Sequence, residues 1–216
     1  MQQAQANLTP KQQQIALIAA LTAIGDLTNL ASALHEGLTT ALTINEIKEI
    51  LVQMYAYAGF PRSLNAINTF MAVLEERKSS GIKDKQGREA SPMPTPINKY
   101  TQGKKTLETL IGHPDPGKTS GFGAFAPRIE TFLKEHLFAD IFANDILSYQ
   151  TRELATVAAL ASMHGLEPML QAHIKMSLNT GLTIAQIKQI MAIVAKAISQ
   201  QQANIGLQIL AKMTNS

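Results

Sequence analysis

The sequence predicts an all-α protein that contains one helical unit twice. Residues 38–50 return as residues 178–190 at an offset of 140, and eight of these thirteen positions are identical. Gly25 and Gly165 fall on the same offset without a gap. Apolar residues recur at helical spacing through most of the chain, and no segment shows the alternating pattern of a strand. A repeat of this length indicates a duplicated folding unit, not a short array motif.

The first half is predicted to contain four helices, at about 10–24, 27–40, 44–58 and 61–77. Thr9 provides an N-cap for the first of them, and Pro10 follows at the first helical position. Thr43 and Glu46 form a capping box, in which the Glu side chain reaches back to the backbone N–H of the cap residue. The third helix should stop near Gly59, because glycine favours the end of a helix.

The second half is predicted to repeat this order, with helices at about 149–163 and 167–179 and a last helix that reaches residue 212. Gly165 separates the first two of these helices, and Pro168 is tolerated in the first turn of the second. Thr183 and Gln186 form the second capping box, which begins the last helix. The capping signals of the two halves therefore correspond.

Residues 79–124 differ from both halves, because proline and glycine are dense there and interrupt any helix except a short candidate at 104–110. We expect a long ordered connection that wraps over the surface or over a neighbour. Helical character returns at 125–145, and five of the seven phenylalanines lie within 122–142. Such a cluster more often forms a packing or subunit surface than a ligand site. The predicted organisation is a first repeat, a connection and a second repeat, at 1–78, 79–124 and 125–216.

The composition excludes several classes of function. The net charge of +3 is too small, and the basic residues are too scattered, to indicate nucleic-acid binding. The chain has no cysteine, so disulfides, thiolate metal sites and thiol redox chemistry are excluded. No stretch approaches the ~20 apolar residues that span a bilayer, so we expect no membrane partner. Residues 1–9 lack the apolar centre of a secretory signal, which favours a cytoplasmic location; a mature chain whose signal has been removed is the alternative.

The segment from Gly112 through Gly117 to Lys118 and Thr119 matches the phosphate-loop pattern letter for letter. That loop binds phosphate because it joins a buried strand to the N-terminus of a helix. Here the preceding residues do not form an apolar strand, and two prolines lie inside the loop. The residues that follow cannot begin a helix at Lys118. We therefore predict no nucleotide binding at this segment.

The clearest candidate for chemistry is a pair of residues on a predicted helical hairpin whose turn is at Gly165. Glu153 lies 12 residues before that turn, and His173 lies 8 residues after it. At ~1.5 Å per residue the two differ by roughly 6 Å in height along the hairpin, so they can meet directly or through one water. Glu and His in contact can serve as a general acid/base pair. The alternatives are a first-turn Glu that interacts with the helix dipole and a satisfied core histidine.

Four further residues are candidates for substrate binding. Arg152 begins an otherwise apolar helix and could orient a substrate. Tyr57 and Arg62 lie at a helix end where small residues alternate with aromatic ones, a pattern that either lines a cavity or packs between helices. Arg62 could bind a carboxylate there, and His35 could border the same pocket. No spacing of histidines and carboxylates suits a metal, so we predict no metal site.

The repeat is not symmetrical at the candidate pair. Gln13 and Ala33 stand at the positions in the first half that correspond to Glu153 and His173 in the second half. Because neither Gln nor Ala can exchange a proton at neutral pH, the second half is predicted to hold the chemistry. The first half is predicted to complete the core and one wall of the pocket.

Both halves resemble the carboxymuconolactone decarboxylase family over about 10–75 and 127–212. Five segments carry the resemblance, 35–38, 41–43, 46–62, 151–156 and 167–173. The resemblance implies the all-helical fold of alkylhydroperoxidase D, present here as a duplicated domain. It also implies assembly: single-domain members form ring-like trimers or hexamers, so this two-domain chain is expected to form a homo-oligomer, either a trimer or a dimer.

The alkylhydroperoxidase D branch uses a Glu, a Cys-x-x-Cys pair and a His, and Glu153 and His173 fall at or within one residue of its Glu and His. Leu166 and Met169 occupy the two Cys positions, so thiol peroxidase chemistry is excluded. The resemblance therefore points to the decarboxylase branch, in which a γ-carboxymuconolactone loses CO₂ without a cofactor. We predict a cofactor-free lyase or isomerase that acts on a small carboxylate or lactone. The alternatives are a non-catalytic small-molecule-binding or stress-related protein on the same scaffold, and a peroxidase-like antioxidant protein.

Overall fold

A computed structural model of the chain describes residues 7–40, 42–92, 98–117 and 120–214. Within these ranges the protein is helical and contains no strand, which confirms the predicted all-α class. A π-helical segment, Leu133–Phe142, follows the seventh helix. The helices in chain order are α1 (Pro10–Ile24), α2 (Leu27–Thr39), α3 (Ile44–Ala58), α4 (Phe60–Ser79), α5 (Lys99–Ile111), α6 (Gly121–Phe125), α7 (Pro127–Phe132), α8 (Tyr149–Leu160), α9 (Glu167–Asn179), α10 (Ile184–Ala197) and α11 (Gln200–Thr214).

The helices α2, α3 and α4 begin 140 residues before α9, α10 and α11, at Leu27 and Glu167, Ile44 and Ile184, and Phe60 and Gln200. Both predicted capping boxes form, that of Thr43 with Glu46 at α3 and that of Thr183 with Gln186 at α10. The equal offsets are those that a duplicated unit would give. The division into two domains and a connection stays a prediction.

Two helix ends in the second half differ from the sequence prediction. The helix that was expected to reach Met163 ends at Leu160, because its last turn tightens to bonds between residues three apart, as from Ser162 N to the Ala159 carbonyl. The last helix is broken between α10 and α11. There the N–H groups of Ile198 and Ser199 both donate to the same carbonyl, and the Ser199 hydroxyl accepts from Gln202 N in the first turn of α11.

The helix in the connection is longer than the candidate at 104–110. It begins at Lys99, because the Asn98 side chain accepts a hydrogen bond from Thr101 N and so caps the first turn. It ends at Gly112, which adopts the left-handed conformation that favours glycine. Lys118 and Thr119, at the end of the phosphate-loop match, lie outside the described residues.

One hydrophobic core runs through both halves. Helix α1 lies against α8 and α10, and α3 lies against α8, so buried side chains such as Leu30 and Ile50 share a core with Val157 and Ile190. A second, smaller core forms between α5 and the π-helical segment, around Leu110. No helix in the described ranges is both long enough and apolar enough to cross a membrane.

The connection is bonded to both halves. The N–H of Ile44 at the start of α3 donates to the Lys85 carbonyl, and Asp145 accepts hydrogen bonds from the backbone and the hydroxyl of Ser91. Gly103 of α5 touches the backbone of the π-helical segment so closely that a Cβ there would overlap the Lys134 carbonyl. These contacts join the described residues of the connection to both halves.

The phenylalanine cluster divides into buried and exposed members. Phe138 and Phe142 are buried in the smaller core, where their rings pack with centroids 5.5 Å apart. The other three are exposed: Phe122, Phe125 and Phe132. The predicted packing surface is therefore present in the π-helical segment, whereas a subunit surface at the exposed members stays a prediction.

Candidate active site

Glu153 and His173 lie in direct contact between α8 and α9. The His173 Nδ1 and Glu153 Oε2 atoms are 2.8 Å apart, and both side chains are buried. When Nδ1 carries its proton it donates to the carboxylate, which leaves Nε2 as the ring nitrogen that can exchange a proton. The other carboxylate oxygen, Oε1, is buried and has no hydrogen-bond partner among the described residues. The pair is therefore oriented, and one of its oxygens is still available.

Tyr57 of α3 covers the pair from the first half of the chain. Its ring meets the His173 ring edge to face, with centroids 5.4 Å apart. Burial raises the pKa of the Tyr57 phenol, the Glu153 charge adds to this rise, and the neighbouring Thr156 side chain opposes it. The phenol therefore keeps its proton at neutral pH. Within the described part of the chain its hydroxyl has no hydrogen-bond partner of good geometry, although it is buried.

Arg152 is fully buried and is held by the protein on several sides. Its guanidinium donates to Gln53 Oε1 at 3.0 Å, to Glu49 Oε2 at 3.0 Å and to the Asn144 carbonyl at 2.8 Å. Burial lowers the pKa of Arg152, while Glu49 opposes this shift and keeps the group cationic. Its Nε is buried and without a partner among the described residues. Arg152 thus joins the two halves and retains one donor, Nε, without a partner among the described residues.

Sequence reasoning missed the residues that position this site from the first half. The Gln53 side chain donates to the Arg152 carbonyl at 2.9 Å and to the Thr156 hydroxyl at 2.8 Å, and it is fully buried. A signal was available, because Gln53 lies on the apolar face of α3 between Leu51 and Met54. A polar residue on such a face needs a buried partner.

The other two predicted binding residues have different partners. His35 lies on α2, with its Nε2 3.4 Å from the Glu76 carboxylate. Arg62 donates to the Ala23 carbonyl and lies 3.7 Å from the Met163 sulfur. None of these bonds leads to the Glu153 pair, so a role for either residue at this site stays a prediction. Across the described ranges no three His, Asp or Glu side chains gather as metal ligands would.

The fold and the site together define an all-α protein with a buried carboxylate–imidazole pair between two helices of a hairpin. Residues 127–211, from the start of α7 into α11, match the carboxymuconolactone decarboxylase family. This match over the second half confirms the resemblance there. No curated protein matches the chain. The matched region contains Glu153, His173 and Arg152, whereas Tyr57 and Gln53 reach the site from outside it.

Proposed function

We propose that this protein is a cofactor-free lyase or isomerase that acts on a small carboxylate or lactone, with Glu153 and His173 as the acid/base pair. The observation that carries the proposal is the buried 2.8 Å contact between these two side chains. Unsatisfied polar atoms lie beside it, on Glu153 and Tyr57. Buried polar atoms without partners are uncommon and often mark functional sites. The match of residues 127–211 to the carboxymuconolactone decarboxylase family supports the same class of reaction.

In a decarboxylation, the bond between the substrate carboxylate and its ring carbon breaks and CO₂ leaves. The electron pair of that bond stays on the substrate and spreads onto a conjugated carbonyl. His173 Nε2 would then donate a proton to carbon and regain it from water, while Glu153 holds the ring in place. The Tyr57 hydroxyl, which keeps its proton, would donate a hydrogen bond to the oxygen that gains charge. An isomerisation needs the same pair to take a proton from one carbon and return it to another.

Turnover in D₂O tests this mechanism directly. The protein is incubated with γ-carboxymuconolactone and related muconolactones, and NMR follows loss of substrate and deuterium at the protonated carbon. Glu153→Gln and His173→Ala should each lower kcat by about 10²-fold or more, the usual contribution of a general acid/base. His113→Ala is the matched control, because His113 is exposed and, among the described residues, its ring bonds only the neighbouring Pro114 carbonyl. Full turnover by either site variant would overturn the proposed roles.

The same panel separates catalysis from binding alone. A ligand that binds only the folded protein must raise the Tm. A substrate analogue that raises the Tm without forming product would favour the alternative, a non-catalytic small-molecule-binding protein. A peroxidase by the thiol mechanism has no nucleophile here, since the chain contains no cysteine.

We further propose that the protein forms a homo-oligomer through the exposed apolar side chains of α6 and α7. Four large apolar residues are exposed within eleven positions of the chain, which is unusual for a monomer surface. They are Phe122, Phe125, Ile129 and Phe132. A second copy of the chain is the expected partner, because the family resemblance implies self-assembly.

A further inference from the structure

The position in the first half that corresponds to the candidate active site is a cavity. The offset of 140 relates Glu153, His173 and Tyr57 to three other residues, Gln13, Ala33 and Ala197. All three of these border one cavity of about 610 Å³. Its walls come from α1 and α2 of the first half and from α10 of the second. The candidate active site is built in the same way from α8, α9 and α3, with the halves exchanged.

The sequence differences between the two positions explain the open space at the first-half position. Where His173 and Tyr57 fill space with two rings, the cavity has only the methyl groups of Ala33 and Ala197. Gln13 carries no charge, and its side-chain amide donates to the Leu8 carbonyl at 3.1 Å. The cavity therefore has room for a ligand and lacks the acid/base pair. Its volume lies within the range of ordinary small-molecule sites, about 300–1,000 Å³.

The lining selects a particular kind of ligand. Leu17, Leu21 and Ile193 give it apolar walls. The side-chain oxygen of Gln14 is buried and accepts no hydrogen bond in the described part of the chain. Lys196 also borders the cavity, and no ion pair or hydrogen bond to its ammonium group is found among the described residues. An apolar body, a carboxylate for Lys196 and a hydroxyl for Gln14 would satisfy these groups together.

Two other polar groups at the cavity limit this choice. The Asn29 amide already donates to Asp26 at 2.6 Å, so it contributes little to recognition. Glu36 is exposed at the border and would repel a second negative charge on the ligand. A monocarboxylate is therefore preferred over a dicarboxylate.

We propose that this cavity is a second, non-catalytic site that binds a small apolar monocarboxylic acid carrying a hydroxyl group. It is separate from the Glu153 pair and does not depend on the reaction proposed for that pair. The ligand would lie between α1, α2 and α10, so its binding would join the first half to the second. Three probes of similar size test the chemistry: 3-(4-hydroxyphenyl)propanoate, its methyl ester, and 3-phenylpropanoate.

Calorimetry and protein NMR with these probes decide the proposal. The hydroxy acid should bind, and both the ester and the acid without a hydroxyl should bind about 10-fold more weakly, which corresponds to about 1.4 kcal/mol each. Lys196→Gln should weaken binding of the hydroxy acid and leave binding of its methyl ester unchanged. Ala197→Tyr and Ala33→Phe should abolish binding by filling the cavity, with circular dichroism as the check on folding. Glu153→Gln should leave binding unchanged, which separates this site from the candidate active site.

Two results would overturn the proposal. One is equal binding of all three probes, or no binding of any up to about 10 mM, where even a weak site is occupied. The other is binding that survives in folded Ala197→Tyr or disappears in Glu153→Gln, because either result would place the ligand outside the cavity. If a cavity-filling variant does not fold, Lys196→Gln still decides the proposal, because equal binding of the hydroxy acid to this variant and to the unaltered protein would overturn it.

Discussion

Gln53 and Arg152 bind each other twice, although they belong to different halves of the chain. Arg152 Nη1 donates to the Gln53 side-chain oxygen at 3.0 Å, and the Gln53 amide donates to the Arg152 carbonyl at 2.9 Å. Both residues are fully buried. Since Glu153 is the next residue along α8, its position depends on this contact between α3 and α8.

Replacing Arg152 by Met should destabilise the protein strongly. The change leaves the buried Gln53 and the half-buried Glu49 carboxylate without their cationic partner, and removing one member of a buried charged pair costs about 3–5 kcal/mol. Urea unfolding measures the loss. Arg62→Met is the comparison, because Arg62 is exposed and its loss should cost less than about 1 kcal/mol. Equal losses in the two variants would show that the buried network does not hold the halves together.

Gly103→Ala should destabilise the contact between α5 and the π-helical segment. In an open helix the change would stabilise by up to about 1 kcal/mol. Here the new methyl group would overlap the Lys134 carbonyl, which is backbone and cannot turn away. We expect a net loss of about 1–3 kcal/mol and a lower Tm by circular dichroism.

Gly206→Ala provides the control for that experiment. Gly206 lies in α11, and its added methyl group would meet the thioether of Met191, the flexible end of a side chain. Its Tm should fall less than that of Gly103→Ala. A stabilised Gly103→Ala protein would contradict the close approach of α5 to the π-helical segment.

Tyr57 should make the protein less stable at alkaline pH. Its pKa is raised in the folded state, first by burial and then by Glu153. Below about pH 10 both states hold the proton and the stabilisation is complete; above it the unfolded state loses the proton first, so the free energy of unfolding falls as pH rises. Urea unfolding at about pH 8 and pH 11 should show a smaller fall in Tyr57→Phe than in the unaltered protein.

Tyr55→Phe is the matched variant for this pH experiment. Burial, followed by the charge of Asp140, also raises the pKa of Tyr55, but this rise is smaller than that of Tyr57. Tyr55→Phe should therefore reduce the alkaline fall in the free energy of unfolding by less than Tyr57→Phe does. If Tyr57→Phe leaves the dependence unchanged, its hydroxyl must lie in a wetter position than the one described beside Glu153.

Charged replacements at the exposed phenylalanines should reduce self-association. Phe125 is 93% exposed, and Phe132 lies on the next helix. Light scattering and sedimentation should show that Phe125→Asp together with Phe132→Asp gives smaller particles than the unaltered protein. Met71→Asp is the control, because Met71 is an exposed apolar residue on α4. An unchanged particle mass in the double variant would exclude this surface as the subunit contact.

The helices were predictable where a local signal marks their ends. Thr9 and Thr43 cap their helices through their own side chains, so three or four consecutive residues determine the start. The break at Ile198 had such a signal too, because the Ser199 side chain caps α11 and the offset of 140 places the break at the end of α3. The early end of α8 at Leu160 has no such signal.

The candidate site was likewise predictable only in the part that depends on local sequence. The contact of Glu153 with His173 follows from heights along one hairpin, which is a local property. Tyr57 and Gln53 reach that pair from the other half, and only the packing of α3 on α8 brings them there. The cavity beside Ala33 was also beyond prediction, because it requires that α10 face α1 and α2.

Each of the two positions takes two helices from one half and the third from the other half: α8, α9 and α3 at the candidate active site, and α1, α2 and α10 at the cavity. This arrangement limits what an isolated repeat could do. Two copies of the second half could pair as the two halves now do, and each copy would keep Glu153 and His173. Each pair would then face Ile193 and Ala197, where Gln53 and Tyr57 now stand. Both sites of such a dimer would be identical. Joining the repeats in one chain lets the two positions differ: one carries the titratable pair Glu153 and His173, and the other is the open cavity beside Ala33. A symmetric dimer of one repeat cannot have two different sites.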